Sequence, residues 1–305
     1  MFLKYLLFLG LWGLVVSCQR KNEILIPIDL IPSDSTKVII AKGFEELLIE
    51  KGYIIDNVND GLVEYGQIKD IDTLKIDSDL WDHYRFTSLR GIEYFPKLRY
   101  LNMFGSYVDT VDLSKNIELT YLNCGGLFGG GGPVATIKFL NVKNCINLKY
   151  LNCSRHVINT LDLSRNGELE ELYCGSNDLT KLDLSNNPRL RILDTYANRG
   201  IEDLDLSKNP LLEKLDVGYN TLAELKIEYL VNLKKLDCSY NYSDFKPTFN
   251  KLDISKNAQL VALDIAGSRL TEIDLRHNPR IESLNITSCN SLDTTVRFVP
   301  VITVE

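Results

Sequence analysis

The chain has 305 residues, 45% of them apolar, enough to bury one large core or a long stack of small ones. Its formal net charge of −7 argues against a nucleic-acid partner, because a phosphate backbone selects a basic stripe. Past the N-terminus no apolar run approaches the roughly 20 residues that a membrane-crossing helix needs.

"MFLKYLLFLGLWGLVVSC" carries one cation, Lys4, ahead of an apolar stretch from Tyr5 to Val16. That is the pattern of an export signal, and it takes no part in the fold. Val15, Val16 and Ser17 lead into Cys18, which resembles a lipoprotein signal. The resemblance implies that residues 1–17 are removed and that Cys18 is acylated, so the membrane is met by a lipid anchor only. "QRKNE" at 19–23 resembles the surface-export tags of Bacteroidetes lipoproteins, and Asp34-Ser35-Thr36 the short O-glycosylation site of that group. These resemblances imply an exported protein anchored at the cell envelope, at the outer membrane, with residues 18–35 as its tether.

Residues 36–97 read as a helical N-terminal cap and an entry segment. "FEELLIEKGY" at 44–53 spaces Phe44, Leu47, Leu48 and Ile49 for a helix. "DNVNDGLVEYGQ" at 56–67 resembles a calcium loop of related secreted repeat proteins, with Asp56, Asp60, Gly61 and Val63 in place. Val58 and Gln67 depart from it, removing one ligand and the bidentate carboxylate, so no metal is expected.

From Leu98 the chain repeats itself. Units begin at Leu98, Leu119, Leu148, Leu169, Leu190, Leu212, Leu233, Leu260 and Ile281, mostly 21 residues apart. Two longer spacings hold insertions, "GGLFGGGGPVA" at 125–135 and "YSDFKPTF" at 242–249. Each unit says nearly the same thing twice. Leu169, Leu172, Cys174 and Asn177 (half A) spell L-x-x-L-x-C-x-x-N, and Leu179, Leu182, Leu184 and Asn187 (half B) spell L-x-x-L-x-L-x-x-N. The alternation predicts a short strand with one face buried in each half, and the Asn a side chain that bonds backbone groups freed at the turn. One coil cannot bury its leucines alone; stacked coils can. At about 4.8 Å per coil, nine coils make a rod roughly 40–45 Å long.

These motifs resemble the bacterial leucine-rich-repeat lipoproteins of the Bacteroidetes type, with 21-residue nested repeats. The resemblance implies a leucine-rich-repeat solenoid over 98–290, of the α/β superclass and built of short parallel strands and turns behind a small helical cap. "TTVRFVPVITVE" is strand-like, and 291–305 read as a C-terminal cap.

Seven cysteines in an exported chain suggest disulfides, but Cys124, Cys153, Cys174 and Cys238 occupy inward strand sites, and Cys145 and Cys289 replace ladder asparagines. Side-by-side sites on parallel strands fit the disulfide dihedral poorly, so free thiols are expected. His83, His156 and His277 are scattered, and no hydrolase, phosphate-loop or zinc motif is present. Neither an enzyme nor a cofactor is expected.

Aspartates fill the outward slots of both halves, as Asp162, Asp183 and Asp205 do in half B and Asp194, Asp216, Asp237 and Asp264 in half A. They read either as a solvated strand face or as an acidic binding stripe. Alternation puts Tyr100, Tyr121 and Tyr150 outside half A on consecutive coils, with Tyr173 two residues along, and Tyr196, Tyr219 and Tyr240 in the turns beyond. One aromatic track along one flank is expected, either a partner-binding surface or exposed strand formers packing on one another. The family resemblance implies a non-catalytic scaffold binding a protein. A glycan ligand and a passive spacer are the alternatives.

Overall fold

The structure is a computed structural model and describes residues 32–56, 58–77, 86–127, 137–198, 200–241, 249–292 and 296–297. The signal segment, Cys18, most of the tether, the greater part of both insertions and most of the C-terminal cap lie outside the described residues.

β1 (Lys37–Ile39) pairs antiparallel with β2 (Leu62–Glu64), with α1 (Lys42–Glu50) between them and α2 (Tyr65–Ile68) after. α1 forms where the apolar spacing places a helix and buries Phe44, Leu47 and Leu48. Gly52, at φ +74, turns the chain out of it. The calcium-like loop is closed by protein groups: Gln67 Oε1 accepts the Ile55 N–H at 2.8 Å, and buried Glu45 accepts the Gly61 N–H.

Beyond this cap lie the coils. β3 (Thr73–Lys75), β4 (Tyr100–Asn102), β6 (Tyr121–Asn123), β8 (Tyr150–Asn152), β9 (Glu171–Tyr173), β10 (Ile192–Asp194), β11 (Lys214–Asp216), β12 (Lys235–Asp237), β13 (Ala262–Asp264) and β15 (Ser283–Asn285) form one ten-stranded parallel sheet in chain order. All but β3 are the half-A segments of the nine coils. β3 lies ahead of Leu98, so the sheet begins inside the segment read as cap and entry. Its Leu74 is buried like the middle leucine of every other coil but the last.

Half B behaves differently from half A. Strand ladders form there only between β5 (Thr110–Asp112) and β7 (Phe139–Asn141), and between β14 (Ile273–Asp274) and β16 (Val296–Arg297), among the described residues. Elsewhere isolated bonds join neighbouring coils, one between Asp178 N–H and Ile158 O at 3.0 Å, two where Thr221 and Ala223 donate to Ile201 and Glu202. Such isolated bonds fall short of a ladder.

Side-chain amides make up the difference. Asn187 Nδ2 donates to Leu163 O at 3.1 Å and Asn166 O at 2.9 Å, one coil back. Asn166, Asn209, Asn257 and Asn278 repeat the pattern. In half A, Asn177, Asn198 and Asn241 also accept a backbone N–H on Oδ1. His156 copies this where Asn is missing. Its Nδ1 accepts the Ile137 N–H at 3.2 Å, so its proton sits on Nε2, which donates to Cys124 O at 2.6 Å. Cys145 makes the weaker substitute, Sγ to Leu113 O at 3.4 Å. The six described cysteines are free thiols. Burial holds the thiols of Cys145 and Cys153 at about 12, chemically inert at neutral pH.

Asn187→Ala strands two buried carbonyls and is expected to lower stability by roughly 2–4 kcal/mol in urea melts, while exposed Asn186→Ala stays within about 0.5 kcal/mol. Equal effects would remove the ladder from its place in the fold.

Candidate recognition face

In every strand of the large sheet the middle residue points into the core and its two neighbours point out. The in-register pairing turns those neighbours into columns. Tyr100, Tyr121 and Tyr150 are register partners, followed by Glu171. The second column runs Asn102, Asn123, Asn152, Tyr173, Asp194, Asp216, Asp237, Asp264, Asn285.

The seven tyrosines form two runs instead of one track. In the first, ring centroids lie 4.2 Å apart for Tyr100–Tyr121 and 4.3 Å for Tyr121–Tyr150, nearly parallel at 7° and 8°, and Tyr173 follows tilted at 5.6 Å. Lys75 Nζ stands 6.0 Å over the Tyr100 ring at the start of the run. The rings are half-buried and cover one another's faces, and the Tyr121 hydroxyl is hydrogen-bonded to Tyr100 and Tyr150. Burial pushes the Tyr121, Tyr150 and Tyr173 hydroxyls up from their ordinary range, and Tyr173 Oη donates to Glu171 Oε2 at 3.0 Å.

The track divides after Tyr173, whose register partner is Asp194. The second run stands in the turns: Tyr196–Tyr219 at 5.1 Å and 53°, Tyr219–Tyr240 at 4.5 Å and 30°. These rings are tilted, and Tyr196 and Tyr219 are exposed. Tyr219 and Tyr240 adopt φ of +54 and +52, at a turn position that Gly105 and Gly267 fill in two other coils and Arg155, Ser176, Ala197 and Ser288 in four more. A bulky residue in this left-handed region is disfavoured by about 1 kcal/mol. Gly267 also makes room for the run: a Cβ there would lie 2.4 Å from Tyr240 Cδ1.

The aspartates of the two halves prove unlike. In half B, Asp162, Asp183, Asp205, Asp253 and Asp274 are held below the carboxylate range, Asp162 chiefly by the Lys143 ammonium of the preceding coil and the others chiefly by the hydrogen bonds they accept at the turn. In half A, burial pushes Asp194 and Asp237 up, and burial with the neighbouring Asp237 charge lifts Asp216 from 3.8 to about 7. The sequence carried a signal for this difference. A small Ser or an Arg follows the half-B aspartates, whereas a tyrosine stands two or three residues after Asp194, Asp216 and Asp237. At strand spacing each adjacent charged pair repels by on the order of 1–3 kcal/mol. Each Oδ1 also caps a turn: Asp194 accepts from Tyr196 N, Asp216 from Gly218 N, Asp237 from Ser239 N and Asp264 from Ala266 N, at 2.9–3.0 Å. Asn152 and Asn285 make the same cap without a charge.

Solved structures share this architecture. The functional domain of InlJ from Listeria monocytogenes, which includes a cysteine ladder, matches with a TM-score of 0.56 and 26% identity over 76% of this chain. A leucine-rich-repeat protein of Leptospira interrogans matches at 0.64 and 20%, also over 76%. The fold is a leucine-rich-repeat solenoid. The chain spans 57% and 58% of those two structures. A chain of the LRIM1/APL1C complex matches at 0.51 and 20% identity, over 70% of this chain and 48% of its own. No protein-family model and no curated protein matches the sequence. Within the leucine-rich-repeat frame, half A supplies the sheet whose outer face carries both tyrosine runs and the carboxylate column.

Asp216→Asn keeps the turn cap and removes the charge. The folded chain holds on Asp216, up to about pH 7, a proton that the unfolded chain loses near pH 4, so native stability falls as pH rises from about 4 to 7 and levels off above. The variant is expected to melt a few °C higher than the parent at pH 8, with the gap closing toward pH 4. A pH-independent difference would contradict the buried-carboxylate account.

Proposed function

We propose that this is a cell-envelope lipoprotein that acts as a non-catalytic scaffold and binds a protein partner through the outer face of the ten-stranded sheet. The observation that carries the reading is the pair of tyrosine runs aligned on that face. Tyrosine joins a rigid apolar body to a polar tip, the combination that anchors recognition surfaces. The ring faces of the first run are turned on one another. Closed faces suit protein side chains and backbone better than sugar rings, which stack on open ones. The acylated Cys18 ties the rod to the membrane, and residues 18–35 let it stand clear of the surface.

Capture from bacterial and host extracts, with a glycan array in parallel, tests the reading. A protein retained by the parent chain and lost from a Tyr100/Tyr121/Tyr150 triple alanine variant is expected. Selective sugar binding would make the partner a glycan, and equal capture by both chains would move the site off this run. Cys18→Ser is expected to abolish incorporation of a clickable fatty acid; labelling that survives it would remove the anchor.

A further inference from the structure

We infer that His156 is an acid-labile clasp: its neutral ring ties Cys124 and Ile137, which flank the first insertion, to the third coil, and protonation of the ring releases Ile137. The clasp joins the coils of β6 and β8, beneath the Tyr121–Tyr150 contact, and is independent of the recognition function proposed for the sheet face.

The ladder site holds Leu127 in the second unit, His156 in the third and Asn177 in the fourth. Asn177 shows what the site ordinarily does. Its Nδ2 donates to Cys153 O at 2.9 Å, and its Oδ1 accepts the Ile158 N–H at 3.0 Å. His156 makes the equivalent pair one coil back, Nε2 donating to Cys124 O at 2.6 Å and Nδ1 accepting the Ile137 N–H at 3.2 Å. Cys153 and Ile158 are five residues apart, whereas Cys124 and Ile137 are thirteen apart, with the insertion between them. One imidazole therefore holds both flanks of that insertion. The neighbouring bonds are backbone pairs that do not titrate, Gly126 N–H to Ser154 O at 2.9 Å and Val157 N–H to Ile137 O at 3.3 Å.

An amide at this site gains no proton near neutral pH, but an imidazole does, at about pH 6.5 in water. A proton on Nδ1 would set one donor against another at Ile137 and place a cation in the core. His156, Cys124 and Ile137 are all buried. The ring is also closely packed: a Cβ at Gly126 would lie 3.3 Å from His156 Cε1. The titratable groups on the segments around it are the thiols of Cys124, Cys153 and Cys174, kept neutral by burial. The charged ones are Lys138 and Asp178, both exposed, and Arg155, which acts on Asp194. Neutral thiols and two cations against one exposed acid do not favour an imidazolium. The folded chain thus keeps the ring neutral, and the unfolded chain takes up the proton first, below about pH 6.5. The stability the clasp contributes is complete above about pH 7 and is lost as pH falls through 6.

The test uses the full-length chain, His156→Asn, which restores the usual amide, and His277→Asn at an exposed histidine. Thermal melts run from about pH 8 to about pH 5, with exchange of the Ile137 amide followed by NMR and the histidine rings titrated in the parent. Relative to His156→Asn, the parent is expected to lose several °C between about pH 7.5 and 5.5, and its Ile137 exchange ratio to rise at least about tenfold. His277→Asn is expected to track the parent, and the His156 ring to titrate below the His277 ring. Carboxylate effects, Asp216 included, are common to both chains and cancel in the comparison. A parent-to-variant difference that does not change with pH overturns the clasp. So does a His156 ring that titrates together with His277, a result read in the parent whether or not the variant folds.

Discussion

One contact organises this protein: an asparagine amide at the end of a half-repeat donating to carbonyls of the preceding coil. A rod of short strands turns its backbone at every corner and frees polar groups there, inside a core with no water to receive them. Asn166, Asn187, Asn209, Asn257 and Asn278 each hold two carbonyls at 2.8–3.1 Å. The contact fixes the distance between coils and their register together. Its exceptions obey the same requirement. His156 supplies an acceptor and a donor in the place of an amide, and Cys145 supplies a donor alone. At Leu230 the amide is absent, and the side chain is packed as core.

Fixed register has a consequence for the outer surface. Whatever residue a strand carries outward is placed beside its equivalent on the next coil. Repetition thus becomes a column, and a column acts on itself. Aromatic neighbours attract, so Tyr100, Tyr121 and Tyr150 close into a stack. Carboxylate neighbours repel and desolvate one another, so Asp216 keeps its proton up to about pH 7 while half-B aspartates ionise readily. The surface chemistry is thus set by pairs of coils and not by single residues. A surface of this kind can change its chemistry along its length without altering the core beneath.

The sequence by itself determined the inward leucines, the ladder sites and the buried free cysteines of the coils from Leu98 onward, because each follows from a local period that those coils must satisfy. It also placed α1, from apolar spacing. Three matters were decided only by the tertiary structure. The sheet begins at β3, where Ile71, Leu74 and Ile76 keep the apolar spacing of a half-repeat but stand 27 residues, not 21, ahead of the next unit. Half B forms few strands, because a ladder depends on how closely neighbouring coils approach, which no single period records. And the seven tyrosines part into two runs, since ring geometry depends on register and turn conformation. Tyr173 meets Asp194 across the strands, whereas Tyr219 and Tyr240 are lifted onto left-handed turns. Periodicity says which side of the chain a residue faces; only the packed coils say which neighbour it meets there.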